Sequence, residues 1–247
     1  MATQLRAFVE LHRPELGAET TLSESDSRHA TSSLRLSIGD KIIVIDRNSR
    51  RTFSAEITAT EKTVLVKIIQ EIVEPHSASR LRGIIFGLSK GEKNDFVVEK
   101  ATEIGAETII LFQSSHSVVR IDGAQAAEKK LERWNKIAES AAQQSKRSSL
   151  PTILLALNEK ELTALIKNHA SSDESKFICS LQAGAKKISE HQIPKSAWVA
   201  VGPEGDFSAS EYDLFTAQGF NAVTLGPNVL RAETAAVVAM GVIQAGA

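Results

Sequence analysis

The sequence predicts an α/β protein in which a small β-barrel precedes a mostly parallel sheet with helices on both faces. Three observations carry that prediction. Short β-branched runs recur about every ten residues in the first part of the chain. From residue 81 strand-like and helix-like patterns alternate, the signature of parallel strands joined by helical crossovers. Two Gly-Pro loops near the C-terminus each follow an apolar strand-like run and precede a helical pattern.

In chain order, residues 1–75 read as the barrel domain, with strands at 41–46, 52–58 and 64–69 separated by polar turns such as Asp46-Arg47-Asn48-Ser49-Arg50. Residues 75–79 read as a linker. Residues 81–247 read as the α/β domain. Its strands are expected at 83–88, 108–112, 177–181, 197–201 and 223–225, and its helices at about 94–104, 125–145, 159–169, 208–218 and 232–245. The helix at 208 begins with Ser208 and Glu211, the spacing of a capping box. Helix 125–145 carries Leu131, Trp134, Ala138 and Ala141 at helical spacing, opposite Lys129, Lys130, Arg133 and Lys136, so Trp134 reads as a packing residue. The last helix is apolar nearly all round, from Ala235 to Ile243. Such a helix needs more than one covered side, either within the domain or at a subunit interface.

Composition excludes several classes. The chain has 247 residues, 42% hydrophobic, enough for one large or two small cores. Its one cysteine, Cys179, forms no intrachain disulfide, and the scattered histidines show no metal spacing, so no metal is expected. The first 20 residues contain Arg6, Glu10, Arg13 and Glu15 and read as no leader peptide. No apolar run approaches the ~20 residues that cross a bilayer. The expectation is a soluble, cytoplasmic protein without membrane contact. Net charge is −1, which gives no bulk signal for nucleic acid. RNA contact would have to use local patches: Arg47/Arg50/Arg51, Arg80/Arg82, Lys90/Lys93, Lys129/Lys130/Arg133 or Lys146/Arg147. Each of these also reads as a solvated face.

The two loops are Gly202-Pro203-Glu204-Gly205-Asp206-Phe207 and Leu225-Gly226-Pro227-Asn228-Val229-Leu230-Arg231-Ala232-Glu233-Thr234-Ala235. Loops at the C-terminal ends of strands are where open α/β sheets bind ligands. Glycine lets main-chain groups approach a ligand, and Pro203 and Pro227 stiffen the turns. Neither loop is a phosphate cradle, and the chain has no Gly-x-Ser-x-Gly nucleophile elbow. By themselves the residues indicate a small-molecule site at strand ends.

The pair of loops resembles the signature of the bacterial small-subunit (16S) ribosomal RNA (uridine-N3)-methyltransferases, which belong to the SPOUT class of S-adenosylmethionine-dependent enzymes. That family reads Gly-Pro-Glu-Gly-Gly, then Leu-Gly, then Leu-Arg-Thr-Glu-Thr-Ala. Also similar are Lys90-Gly91-Glu92-Lys93, Glu99-Lys100-Ala101-Thr102-Glu103-Ile104-Gly105, Ser115-His116-Ser117-Val118, Glu132-Arg133-Trp134 and Ala141 to Arg147. Arg6-Ala7-Phe8, His29, Leu34-Arg35 and Gly39-Asp40 fit more loosely. The chain has Asp206 where the family usually has Gly, Ala232 for Thr, Glu99 for Gln and His116 for Arg. The resemblance implies a C-terminal trefoil knot, a PUA-like N-terminal barrel, and a homodimer packed through the last helix. It also implies small-subunit ribosomal RNA as substrate, within the ribosomal subunit.

The resemblance further implies that S-adenosyl-L-methionine is held by Leu181, Gly202, Pro203, Glu204, Gly205, Leu225, Gly226, Leu230 and Ala235. RNA would be gripped by Arg6, His29, Arg35, Lys90, Lys93 and Arg147. Arg231 and Glu233 are the catalytic candidates. Arg231 is permanently cationic and carries a planar donor fork, suited to charge building on uracil oxygens as N3 loses its proton. Alone, Arg231 would read as a partner in a surface or dimer-interface ion pair. Glu233 in a first helical turn also has a purely structural role available, through the helix dipole. The proton acceptor stays open between Glu233, Glu204 and water. Two rival functions remain: a non-enzymatic ribosome-associated protein with a decayed donor site, suggested by Asp206 and Ala232, and ribose 2′-O-methylation.

Overall fold

The computed structural model describes residues 4–73, 79–181, 185–193 and 195–246. They fall into two compact units, one within Met1–Ser77 and Ala142–Leu150, the other within Ala78–Ala141 and Pro151–Ala247. The linker expected at 75–79 lies outside the described residues except for Ser79.

The first unit contains β1 (Arg6–Val9), β2 (Glu19–Thr21), α1 (Glu24–Arg28) with a π-helical turn at His29–Ser33, β3 (Lys41–Asp46), β4 (Thr52–Ala59) and β5 (Leu65–Ile72). They form one sheet in the order β1-β3-β4-β5-β2, antiparallel except for the β1–β3 pair. Register shifts at Ser54/Ala55 and Ile57/Ala59 bend β4 against β5, which lets the sheet curl. Its concave core holds Ile42, Val44, Phe53, Ala55, Ile57, Val66 and Ile68. The alternate residues of β3, Ile43 and Ile45, point the other way and pack with Phe8, Ala142, Ile72 and Leu150. Both faces of β3 are therefore covered, and the segment Ala142–Leu150 supplies the second cover. Gln143 Nε2 also donates to buried Asp26 Oδ1 at 3.0 Å.

The second unit runs β6 (Leu81–Gly87), α2 (Lys93–Ile104), β7 (Thr108–Phe112), α3 (Ala124–Gln144, whose last residues fall in the first unit), β8 (Thr152–Ala156), α4 (Glu159–His169), β9 (Ser175–Cys179), β10 (Lys186–Lys187), β11 (Ala197–Val201), α5 (Ala209–Ala217), β12 (Asn221–Thr224) and α6 (Ala232–Ala245). The sheet order is β10-β12-β9-β11-β6-β7-β8, and every pairing is parallel. Side chains alternate between two cores. Ile84, Phe86, Ile109, Leu111 and Val199 join Val97, Ala101, Trp134, Ala236 and Met240 from α2, α3 and α6. Ile85, Ile110, Phe112, Trp198 and Ala200 join Leu162, Ile166 and Phe215 from α4 and α5. The sheet is thus covered on both faces, as the alternation of elements predicts.

Two of its glycines are fixed by close packing. A Cβ on Gly83 would stand 2.4 Å from the Trp198 ring, and one on Gly87 would stand 2.4 Å from Pro203 Cδ. The second contact seats the start of the first Gly-Pro loop directly on β6. Trp134 is buried and its Nε1 donates to Asp95 Oδ1 at 3.1 Å, the packing role expected of it. Helix α6 lies on β6 and β11 beside α2. It buries Ala236, Ala239, Met240 and Ile243, while Val238 stays 37% exposed. Among the described residues no helix is long and apolar enough to cross a membrane, and no group of His, Cys, Asp or Glu could hold a metal ion.

Candidate functional site

Strand order decides where the loops meet. β9 lies between β12 and β11, so the C-terminal ends of these three parallel strands sit side by side. Their exits enclose a cavity of about 370 Å³. The β9 exit contributes Cys179, Ser180 and Leu181. The β11 exit contributes Val201, Gly202, Pro203, Glu204 and Asp206. The β12 exit contributes Leu225, Gly226, Leu230 and Arg231, and α6 adds Ala232 and Ala235. This size suits a nucleoside-sized ligand, and mostly apolar walls with a few polar groups are usual for such sites.

Most residues picked out by sequence for the donor line this cavity: Leu181, Gly202, Pro203, Glu204, Leu225, Gly226, Leu230 and Ala235. Gly205 does not. It faces away, and a Cβ there would meet His116 Cβ at 3.2 Å. The need for Gly at 226 is conformational instead, because its φ is +134° and nothing crowds it.

The first loop is held in shape from several sides. Asp206 N donates to Pro203 O at 2.9 Å, closing a turn that leaves Asp206 at φ 59°. His116 Nδ1 lies 3.0 Å from Gly205 O and 3.2 Å from Asp206 O, so it carries the proton in those contacts. The capping box forms as expected: Ser208 Oγ accepts from Glu211 N, and Glu211 Oε2 accepts from Ser208 N at 2.8 Å. Buried Glu211 also accepts Ser115 N at 2.8 Å, a tie the sequence did not reveal.

The charged rim is a small network. Lys93 Nζ donates to Glu204 Oε1 at 2.9 Å and pairs with Glu233 Oε2 at 3.5 Å. Lys90 N also donates to Glu204 Oε1, at 3.2 Å. The hydrogen bond to Glu204 raises the Lys93 ammonium above its usual range. Burial alone would raise the Glu204 carboxyl, but its hydrogen bonds from Lys93 and the main chain outweigh that and hold it below the carboxylate range. Glu233 thus belongs to the rim network rather than the cavity wall. Arg231 is the N-cap residue of α6 and exposed, with no side-chain capping bond. Among the described residues its guanidinium has no hydrogen-bond or ion-pair partner, so an ion pair within the chain is not what holds Arg231.

Four of the RNA-binding candidates, Arg6, His29, Arg35 and Arg147, fall in the first unit, and Lys90 and Lys93 in the second. His29, Arg35 and Lys90 are exposed, whereas Arg6, Lys93 and Arg147 are half-buried. In three of the basic patches one arginine is paired with an acidic residue. Arg51 pairs with Glu71, Arg82 with Glu107 and Glu174, and Arg133 with Asp95.

A family model described as an RNA methyltransferase domain matches residues 79–244, two-thirds of the chain and the whole of this cavity. The chain belongs to that family. A second model, described as an RNA methyltransferase PUA domain, matches residues 22–69 within the curled sheet. The ribosomal RNA small subunit methyltransferase E of Bacillus subtilis is 29% identical over 96% of this chain and 95% of its own. That of Mesomycoplasma hyopneumoniae is 32% identical over 69% and 72%. Among solved structures, the Neisseria gonorrhoeae protein of the same name, bound to S-adenosyl methionine, superposes with a TM-score of 0.84 at 30% identity, covering 98% of this chain and 97% of that one. A Legionella pneumophila methyltransferase with bound cofactor SAM gives a TM-score of 0.84 at 28% identity over the same shares.

Within the family frame, three of the four sequence departures have a clear place. Asp206 adopts the left-handed conformation that glycine would take, and Asp is among the few side chains that tolerate it. Ala232 is buried at the first position of α6. His116 fastens the first loop.

Proposed function

We propose that this protein methylates N3 of a uridine in small-subunit ribosomal RNA, with S-adenosylmethionine as donor. The observation that carries the proposal is the cavity at the exits of β9, β11 and β12 with the unpartnered Arg231 on its rim. The residues present fit the donor. Leu181, Leu225, Leu230 and Ala235 offer apolar walls for an adenine, and the Gly202 and Gly226 loops bring main-chain groups to it without obstruction. Glu204 and Asp206 add negative charge to a cavity that must accept a cation. When bound, the donor supplies a methyl group from its sulfonium.

The protein's own residues then have to align a uracil and stabilise the charge left when N3 loses its proton. Arg231 suits that task, since a guanidinium can donate to a uracil carbonyl oxygen as negative charge grows there. Lys93 stays protonated and serves as a fixed cation. Both Glu204 and Glu233 pair with Lys93, and the acceptor of the N3 proton stays open between Glu233, Glu204 and solvent.

The first unit, with exposed His29 and Arg35, is proposed to grip RNA. Exposed Val238 on α6 supports a homodimer through that helix. A cytoplasmic location, with substrate met in the ribosomal subunit, follows from this reading. The test is mass spectrometry of nucleosides from small-subunit RNA of cells with and without the protein. Loss of 3-methyluridine without it is expected; an unchanged level sinks the proposal, and loss of a 2′-O-methyl nucleoside instead would establish the rival specificity.

A further inference from the structure

Asp206 is the one residue of the first loop whose side chain departs in charge from the family pattern, and its surroundings give that charge a use. Its Oδ1 accepts from Phe207 N at 2.8 Å and from Tyr212 Oη at 3.0 Å, and Oδ2 lies 3.1 Å from the same hydroxyl. Burial, and then the charge of Asp206, hold the Tyr212 phenol well above its ordinary range, so it remains a donor. Both of these partners are neutral. Among the described residues no Lys or Arg pairs with Asp206: of the cations lining the cavity, Lys93 is engaged by Glu204 and Glu233, and Arg231 makes no ion pair with Asp206.

The carboxylate therefore lies on the wall of the cavity with no ion-pair partner among the described residues and with Oδ2 lone pairs to spare. That charge is felt by its neighbour on the wall, which shares the Tyr212 hydroxyl with it. Cys179, also on the wall, has its thiol pushed up to about 12 by burial and by Asp206. In a partly desolvated site an uncompensated carboxylate favours a cationic occupant over a neutral one of the same shape.

Resting on the donor reading above, we propose that Asp206 is a specificity-determining residue that favours the cationic donor over its neutral product. S-Adenosylmethionine carries a sulfonium charge, and S-adenosylhomocysteine, the thioether left after methyl transfer, does not. The two share every other group. A fixed negative charge on the wall holds the first more tightly than the second and speeds exchange of product for fresh donor. A glycine at this position, as in the family pattern, provides the turn without the discrimination.

The test uses the full chain and isothermal titration of three ligands. They are S-adenosylmethionine, S-adenosylhomocysteine, and the analogue in which a protonated amine replaces the methylsulfonium. Asp206→Asn keeps the size, the left-handed tolerance and an oxygen for Phe207 N and Tyr212. Asp206→Gly accepts the φ of 59° without strain and carries the test if the first variant does not fold.

In both variants affinity for the sulfonium and the amine ligand should fall by about tenfold, while affinity for the thioether changes less than about twofold. Equal weakening of all three ligands would show that Asp206 meets only the amino-acid ammonium they share, and would overturn the proposal. So would unchanged affinity for all three. Wild-type protein that binds none of the ligands at millimolar concentration would instead remove the donor reading itself.

Discussion

Lys93 Nζ stands between two carboxylates, 2.9 Å from Glu204 Oε1 and 3.5 Å from Glu233 Oε2, and so ties the first loop to the start of α6 through a residue of α2. Sequence spacing places these three residues far apart; the parallel sheet places them on one rim.

The pH dependence of this tie is predictable in sign. Glu204 is depressed below its ordinary 4.5, so its contribution is fully present above that value and is lost as pH falls through the folded value. Lys93 is raised above 10.5, so its contribution is present below 10.5 and is lost as pH climbs past it. Both side chains are about a third exposed, which keeps the effect modest. Lys93→Met should lower the melting temperature by a constant amount between about pH 5 and 10, with the difference closing in acid. A difference that grows as pH drops below 4 would contradict the pairing.

Arg231→Ala should keep donor affinity within a few-fold and lower single-turnover methylation by about 10²–10³. Arg231→Lys should recover only part of that, because an ammonium lacks the planar fork. Since no described side chain depends on the guanidinium, the melting temperature should barely move. Collapse of donor binding would assign Arg231 to the cofactor instead.

Val238→Glu tests the proposed self-association. Val238 is 37% exposed, so the protomer can carry a charge there without unfolding. In a dimer through α6 the same charge would be buried and unpaired, which is costly. Sedimentation should show wild type as a dimer at micromolar concentration and the variant as a folded monomer. Wild type sedimenting as a monomer would rule the interface out.

Two glycine substitutions separate packing from ligand contact. Gly87→Ala drives a Cβ to within 2.4 Å of Pro203 and should cost about 1–3 kcal/mol by denaturant titration. Gly205→Ala meets His116, its Cβ nearest at 3.2 Å, so it should cost less and leave donor affinity nearly unchanged. Loss of donor binding in Gly205→Ala with stability intact would place Gly205 at the ligand after all.

Much of the second unit was legible because most of its strands are short apolar runs bounded by helical patterns. β6, β7, β9, β11 and β12 were anticipated within a residue or two. β8 was not: Thr152 to Ala156 is a brief apolar stretch that periodicity cannot separate from the start of a helix. β10 has only two residues. In the first unit β1 and β2 escaped notice, since β1 is buried on consecutive residues and shows no alternation. Nor does composition show that Ala142 and Leu150 complete the core of Phe8, Ile43 and Ile45.

The cavity was legible as two loops, because Gly, Pro and Leu at strand exits are local signals. Its rim was not. Pairing Lys93 with Glu204 and Glu233, turning Gly205 toward His116 and leaving Arg231 unpartnered are results of strand order, which no local pattern encodes.

Glu211 carries a consequence for how the site opens. One buried carboxylate caps α5 and also holds the amide of Ser115, so the helix start and the turn after β7 cannot come apart one at a time. The Ser115 and Ser208 amides should exchange with solvent at the same rate, as members of one cooperative unit. A ligand that stiffens the first loop would then slow exchange at Ser115, which does not line the cavity.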